Sequence, residues 1–301
     1  GPAYILPGNH DPWGPGSVWE HPAWAAAENL TVLVNPEPVP IAHGILLPCP
    51  LSAKYGRVDP TVWITPESGA GHAAGIRIGL AHGNVEGLPG ADPDFPIARD
   101  AAQRGALDYL ALGHWHSLAS FTQGDDPVRM AYCGTPEATR FGERESGKAL
   151  LVEISEPGAA PRITALETGH YIWEQIEAEI HQPQDLSAIA ETIDTLSAPE
   201  RTLLDLRLRG LLFARQQADL GQLLERVAAR FFFSRVDRTQ LLPAPDDPGW
   251  IEDLPAGILR EAARQLISQA QLSKTSEDNS PDSPAALALQ ELYAAVQEAR
   301  S

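Results

Sequence analysis

The sequence contains little cysteine and no long apolar segment. Only two of its 301 residues are cysteines, Cys49 and Cys133, and they lie far apart. This number argues against a small secreted fold built on several disulfides, and we expect both thiols to be buried. No apolar run approaches the roughly 18 residues of a membrane-spanning helix, and no signal peptide is recognisable. We therefore expect a cytoplasmic protein without a membrane segment.

Positive charge is also scarce. The chain has 22 lysines and arginines against 40 acidic residues, which gives a formal net charge of −18. Such a balance argues against a broad surface that binds nucleic-acid phosphates, but it leaves room for a local basic or metal-centred site. The hydrophobic content of 43% is high enough for a folded protein with a sizeable core.

Short apolar segments bounded by Gly, Pro or Asp predict many strands in the first half of the chain. These segments are 3–7, 31–34, 45–49, 76–82, 108–113, 128–133 and 148–154. One helix is predicted between them, over 96–105. The pattern indicates an α/β fold whose layered sheet core is flanked by helices.

The pattern changes near residue 168. From there the sequence predicts a strand, a helix, a strand, a helix and a strand, over 170–180, 184–196, 201–209, 215–230 and 231–238. Helices follow at 255–271 and 285–299, joined by a flexible polar linker at 273–284. We therefore predict a core at 1–167, a small α/β domain at 168–245 and C-terminal helices at 246–301.

Three histidine-bearing clusters directly follow predicted strands. They are Gly8-Asn9-His10-Asp11, Ala81-His82-Gly83 and Gly113-His114-Trp115-His116. A single histidine at a strand end is more often a surface or hydrogen-bonded residue than a ligand. The joint pattern of three Gly-flanked clusters at strand exits nevertheless predicts one shared metal site, because imidazole suits zinc, manganese and iron alike. The remaining histidines lack this context and are interpreted as surface or structural residues, namely His21, His43, His72, His170 and His181.

These motifs carry a resemblance. The order GNHD, a lone histidine at a strand end and GHxH resembles the calcineurin-like metallophosphoesterase superfamily. The segments YILPGNHDP, YLALGHWHS and YCGTPEATRFGERESGKALLVEI are similar to the nuclease subunit of SbcCD-type DNA repair exonucleases. The resemblance covers about residues 1–240. It implies a β-sandwich core with helices on its faces, and a small capping domain behind it.

The resemblance also implies a set of roles. Two divalent metal ions, commonly manganese, would lie about 3.5–4 Å apart. Asn9, His82 and His114 would ligate one ion, and His116 the other. His10 would be the general acid and Asp11 would orient it, although Asp11 alone could equally cap the following turn. The reaction would be phosphodiester hydrolysis, as in an exonuclease or endonuclease of double-strand-break repair.

The superfamily places a D-x-H motif and a G-D-x-x-D motif before GNHD, and neither occurs in this sequence. Gly124-Asp125-Asp126 comes in the wrong order and is no substitute. We therefore expect an N-terminally truncated core that is inactive, or nearly so, by itself, within a full-length protein that is an enzyme. Two alternatives stay open: a phosphoesterase acting on nucleotides or other small molecules, and a non-catalytic interaction subunit on the same scaffold.

Further residues allow two interpretations each. Trp13 and Trp19 either pack on the fold or flank a substrate groove. Arg140 and Arg144 either contact phosphate or pair with neighbouring glutamates. The amphipathic helix at 285–299 either packs on its own domain or docks a partner. The resemblance implies DNA and an SbcC-like coiled-coil ATPase as partners, and a homodimer stays open.

Overall fold

The computed structural model describes residues 1–71, 75–90, 94–182, 184–212, 216–243, 249–252, 254–274 and 284–298. His72 and most of the predicted linker at 273–284 lie outside these ranges. The fold is mixed α/β and divides into two compact units, Gly1–His170 and Tyr171–Ser301. Across the described ranges, no helix has both the length and the apolar character needed to cross a membrane.

The first unit is built mainly of short strands. In chain order they are β1 (Ala3–Ile5), β2 (Leu30–Val32), β3 (Val39–Ile41), β4 (Gly44–Cys49), β5 (Ile76–His82), β6 (Asn84–Val85), β7 (Pro96–Ile97), β8 (Tyr109–Gly113), β9 (Ala119–Phe121), β10 (Met130–Tyr132), β11 (Lys148–Glu153) and β12 (Arg162–Glu167). Two short helices interrupt them, α1 (Ala23–Ala26) and α2 (Ala101–Arg104).

A six-stranded sheet in the order β3-β4-β5-β8-β10-β9 forms the centre of this unit. Strands β4, β5, β8 and β10 run parallel to one another, while β3 and β9 are antiparallel edge strands. The apolar segment of β4 is almost entirely buried, as expected for a parallel strand covered on both faces. The hydrophobic core around this sheet includes Leu47, Leu110 and Tyr132, none of which has exposed surface.

The predicted helix over 96–105 was wrong in its first half. Pro96 and Ile97 instead form β7, which pairs in parallel with β6, and α2 covers only Ala101–Arg104. Ile97 has no exposed surface in this position, so tertiary burial outweighed the local helical pattern. Strand β12, which pairs with β11 along its whole length, was not predicted at all.

The second unit contains the predicted alternation of strands and helices. Its elements are β13 (Ile172–Ile180), α3 (Asp185–Asp194), β14 (Thr202–Leu212), α4 (Gln217–Arg230), β15 (Phe233–Pro243), α5 (Gly249–Glu252), α6 (Ile258–Lys274) and α7 (Pro284–Glu298). The three strands form one parallel sheet in sequence order. The predicted domain boundaries at 167 and 245 stay predictions.

The two faces of β14 differ, because successive side chains in a strand point to opposite sides. Leu204, Leu206 and Leu208 are fully buried in the core that α3 and α4 share with the sheet. On the other face, Asp205 has no exposed surface and pairs with Arg207 and Arg235. In the described part of this unit, seven arginines pair with acids, namely Arg207, Arg209, Arg226, Arg230, Arg235, Arg260 and Arg264.

Candidate metal centre

Two parallel strands deliver histidines to the same edge of the central sheet. Strand β5 ends at His82 and β8 ends at Gly113, and these two residues are register partners. His114, the next residue, therefore lies beside His82 at the carboxyl ends of the strands, where α/β sheets commonly place their sites. Its φ of 110° is rare for a residue other than glycine and marks a sharp turn at this point.

The GNHD segment reaches the same edge through backbone hydrogen bonds. Leu51, just after β4, donates its N–H to Pro7 O at 3.3 Å and accepts from Trp13 N at 2.7 Å. Within the segment, Asp11 Oδ1 accepts a hydrogen bond from Gly8 N at 2.9 Å. The loop between Pro7 and Trp13 is thereby fixed beside the carboxyl end of β4, and Asn9 is left only 6% exposed.

Three polar atoms converge at this edge. Asn9 Oδ1 lies 2.9 Å from His82 Nε2 and 3.3 Å from His114 Nδ1, and the two ring nitrogens are 3.3 Å apart. The two imidazole rings meet edge to face, with centroids 5.2 Å apart. We refer to Asn9, His82 and His114 as the ligand cluster.

The ligand cluster fits one divalent ion. Ligands at right angles around an ion with bonds of about 2.1 Å are about 3 Å apart, which matches the spacing of the three atoms. Burial first, and then the nearby His114, His10 and His116, lower the pKa of His82 to about 4, so its imidazole is neutral at pH 7 and can donate a lone pair. Within the described part of the chain, no group of three His, Cys, Asp or Glu side chains could hold a metal ion. The ligand cluster is not such a group, because its third donor is the amide oxygen of Asn9.

Two glycines let the His82 ring sit where it does. A Cβ at Gly8 would lie 2.7 Å from His82 Cε1, and a Cβ at Gly113 would lie 3.0 Å from His82 Nδ1. Real side chains avoid such contacts, so only glycine allows the backbone to come this close to the ring at both positions. The glycines in GNHD and GHxH thus have a packing role around His82.

The other predicted site residues lie around the ligand cluster. His10 is exposed, and both His10 and His116 are close enough to His82 to influence its pKa. His116 instead hydrogen-bonds through Nδ1 to Glu143 Oε1 at 2.9 Å. Asp11 caps the turn at Gly8, which is one of its two interpretations. The roles of His10 as acid, Asp11 as its orienting group and His116 as ligand stay predictions.

A cavity of about 580 Å³ opens next to these residues. Its walls include His114, Trp115, His116, Arg140 and Arg144. Asn84 and Glu143 also line it. The cavity therefore combines imidazoles with two guanidinium groups, a kind of group suited to bind a phosphate. Arg140 pairs with Glu143, its Nε lying 3.4 Å from Oε1, which is one of its two interpretations, and contact of either arginine with phosphate stays a prediction.

No family model matches the chain. An uncharacterized metallophosphoesterase of Bacillus subtilis, YhaO, is 25% identical to it over 125 residues. The match covers 41% of this chain and 30% of the relative, so it spans less than a third of that protein's length. Over this stretch the chain is therefore distantly similar to a metallophosphoesterase.

Two further residues of this site were not predicted from the sequence. Asn84 is 3% exposed, and its Nδ2 lies 2.9 Å from His114 Nε2 and 3.3 Å from Asp94 O. Its position two residues after His82, at the same strand exit, was the available signal. Glu143 contacts His116 from a loop 27 residues further along, and nothing in the local sequence indicated that.

Trp19, eight residues after the GNHD segment, packs on the fold. Trp19 is 9% exposed, its indole N–H donates to Asp11 O, and its ring lies 5.2 Å from that of Trp24. The packing interpretation therefore holds for Trp19, whose indole contacts the backbone of the GNHD loop at Asp11. Trp115 forms a wall of the cavity.

Proposed function

We propose that this protein hydrolyses phosphodiesters with the help of divalent metal ions, and that DNA is its substrate, as in an exonuclease or endonuclease of double-strand-break repair. The observation that carries the proposal is the convergence of Asn9 Oδ1, His82 Nε2 and His114 Nδ1 beside a cavity lined by two arginines. We further propose manganese as the metal and a second ion at His116.

The proposed reaction gives the side chains two roles, holding the ion and binding the phosphate. Asn9, His82 and His114 would hold one ion, with His82 kept neutral by its burial. Such an ion supplies positive charge that polarises the phosphoryl group and activates water. Arg140 and Arg144 would bind the remaining phosphate oxygens, since guanidinium groups match their geometry.

His10 would act as the general acid. It is the exposed imidazole of the GNHD loop, and it lies close enough to His82 to lower that residue's pKa. An imidazole with a reference pKa of about 6.5 can give a proton to a leaving oxygen near neutral pH. Asp11, one residue later, would limit the orientations of the loop through its hydrogen bond to Gly8.

A second candidate is a phosphoesterase that acts on nucleotides or other small molecules. Two observations favour it: the net charge of −18, and the seven described arginines of the second unit that are already paired with acids. A DNA-binding face on that unit would need those arginines to exchange partners. The cavity of about 580 Å³ is also large enough for a nucleotide.

The partners are proposals as well. The apolar face of α7 packs within its own unit, because Leu289 is buried against Ile251 and Ile267. A coiled-coil ATPase of the SbcC type would therefore dock elsewhere on these helices, and the start of α6 offers Ile258 and Leu259, which are 89% and 53% exposed. A homodimer could use the same residues.

The test compares substrates and one variant. The protein is assayed with Mn²⁺ on linear duplex DNA, bis-p-nitrophenyl phosphate and mononucleotides, together with His10→Ala and the matched control His181→Ala, an exposed histidine of the second unit. Cleavage of DNA that His10→Ala abolishes and His181→Ala preserves would support the nuclease. Hydrolysis of mononucleotides alone would favour the second candidate. Little or no turnover is expected from this chain by itself, so the deciding assay uses a protein that also carries the D-x-H and G-D-x-x-D motifs. No hydrolysis of any substrate by that protein would contradict both candidates and leave the interaction subunit.

A further inference from the structure

Glu143 makes a direct contact with His116 that fixes the state of the imidazole ring. Glu143 Oε1 lies 2.9 Å from His116 Nδ1. An ionised carboxylate can only accept a hydrogen bond, so Nδ1 carries the proton and donates it. In the neutral ring, the lone pair then belongs to Nε2. His116 lines the cavity and its side chain is 49% exposed, so the ring is open to a ligand on its other side.

Glu143 is itself held in place from several directions. Its side chain is only 3% exposed. Thr139 donates its backbone N–H to Oε2 and its hydroxyl to Oε1, both at 2.8 Å. Arg140 Nε lies 3.4 Å from Oε1.

These contacts keep the carboxylate charged. Thr139 supplies two hydrogen-bond donors to the two carboxylate oxygens and His116 supplies a third, which matches the acceptor capacity of an ionised carboxylate. A buried charge with several fixed donors is costly to create and is usually maintained only where all its partners are satisfied. The loop at 139–143 therefore presents one well-ordered acceptor to His116.

We propose that Glu143 is a positioning residue that holds His116 as its Nδ1–H tautomer and leaves Nε2 available to the cavity. A carboxylate on the far nitrogen of a histidine is a common way to orient a ring that binds a metal or a phosphoryl oxygen. This inference rests on the proposed function for its catalytic meaning, but the tautomer itself is independent of any activity.

The direct test is ¹⁵N NMR of the histidine rings in the metal-free protein at a pH where the rings are neutral, with the signals of His116 assigned by their loss in His116→Gln. We expect Nδ1 of His116 to be the protonated nitrogen. Glu143→Ala should shift His116 toward the Nε2–H tautomer, while Glu143→Gln, which keeps an acceptor, should retain Nδ1–H. Glu145→Gln is the matched control, because it removes a charge from the same loop but pairs with Lys148.

Two results would overturn the proposal. One is an Nε2–H tautomer in the unmodified protein, a result that requires no variant to fold. The other is an unchanged Nδ1–H tautomer in Glu143→Ala.

A second measurement separates this inference from the proposed function. In the metal-loaded protein, Glu143→Ala should lower kcat by about 10- to 100-fold and Glu143→Gln by much less. If no phosphoester is hydrolysed at all, the proposed function fails while the tautomer result stands. If hydrolysis occurs and Glu143→Ala is as active as the unmodified protein, the positioning role fails alone.

Discussion

Replacing Gly8 with alanine would place a methyl group against the ring of His82. The added Cβ would lie 2.7 Å from Cε1, 2.9 Å from Nδ1 and 3.1 Å from Asp11 Oδ1. Ordinary contact begins at 3.4 Å, so the ring would have to move by about 0.7 Å, the difference between 3.4 and 2.7 Å. Gly113 also lies close to the ring, because a Cβ there would be 3.0 Å from His82 Nδ1, and this restricts how far the ring can move.

This displacement should weaken metal binding more than it weakens the fold. His82 Nε2 is 2.9 Å from Asn9 Oδ1, and a shift of this size would disturb the spacing of the ligand cluster. We expect Mn²⁺ affinity to fall by about 10- to 100-fold, or roughly 1.4–2.7 kcal/mol, and stability to fall by about 1–3 kcal/mol from overpacking. Gly8 is not among the glycines with positive φ, so backbone strain should contribute little.

Isothermal titration calorimetry with MnCl₂ measures the affinity, and thermal unfolding in EDTA measures the stability. Gly14→Ala is the control, because a Cβ there would meet nothing within 4 Å. It should bind Mn²⁺ like the unmodified protein. Equal Mn²⁺ affinity in Gly8→Ala and Gly14→Ala would refute the reasoning, because it would show that the His82 ring need not occupy this position to bind metal.

Three further outcomes are expected. Binding of metal through His114 Nδ1 requires a proton on Nε2, which the Asn84 amide, 2.9 Å away, can accept only through its oxygen, an atom with no other partner among the described residues. Asn84→Leu removes that acceptor and should lower Mn²⁺ affinity about 10-fold by calorimetry; unchanged affinity would contradict an orienting role for Asn84. Asp205→Asn weakens the buried pairing with Arg207 and Arg235 and should lower the free energy of unfolding in urea by about 1–3 kcal/mol; no change would contradict it. Hydrogen bonding from Arg235 lowers the pKa of Asp205, so its stabilisation is present above the unfolded pKa of about 3.9 and is lost as the pH falls through the lower folded pKa. The difference in free energy of unfolding between Asp205→Asn and the unmodified protein should therefore shrink as the pH falls. A difference that grows in acid would contradict the lowered pKa of Asp205.

The ligand cluster was largely predictable because its members end regular elements. Apolar segments bounded by glycine identified the strands that end at His82 and Gly113, and a parallel sheet brings such ends together. Asn9 required the turn after β1 to be recognised, and the glycine before it provided that signal.

The rest depended on contacts that no local pattern encodes. Glu143 reaches His116 from an irregular loop, so only the folded chain reveals the pair. Ile97 is buried by pairing with Val85 rather than by a helical face, which made the helix at 96–105 a wrong prediction. Where the apolar period was clear, as in α3 and α4, the sequence predicted the helices to within a few residues.

The most direct test of the metal centre is anomalous diffraction from crystals grown with Mn²⁺. We expect a peak within about 2.0–2.6 Å of Asn9 Oδ1, His82 Nε2 and His114 Nδ1. A bound Mn²⁺ that contacts none of these three atoms, or no bound Mn²⁺ at a concentration that saturates the protein in solution, would contradict the assignment of this edge of the sheet as the metal site.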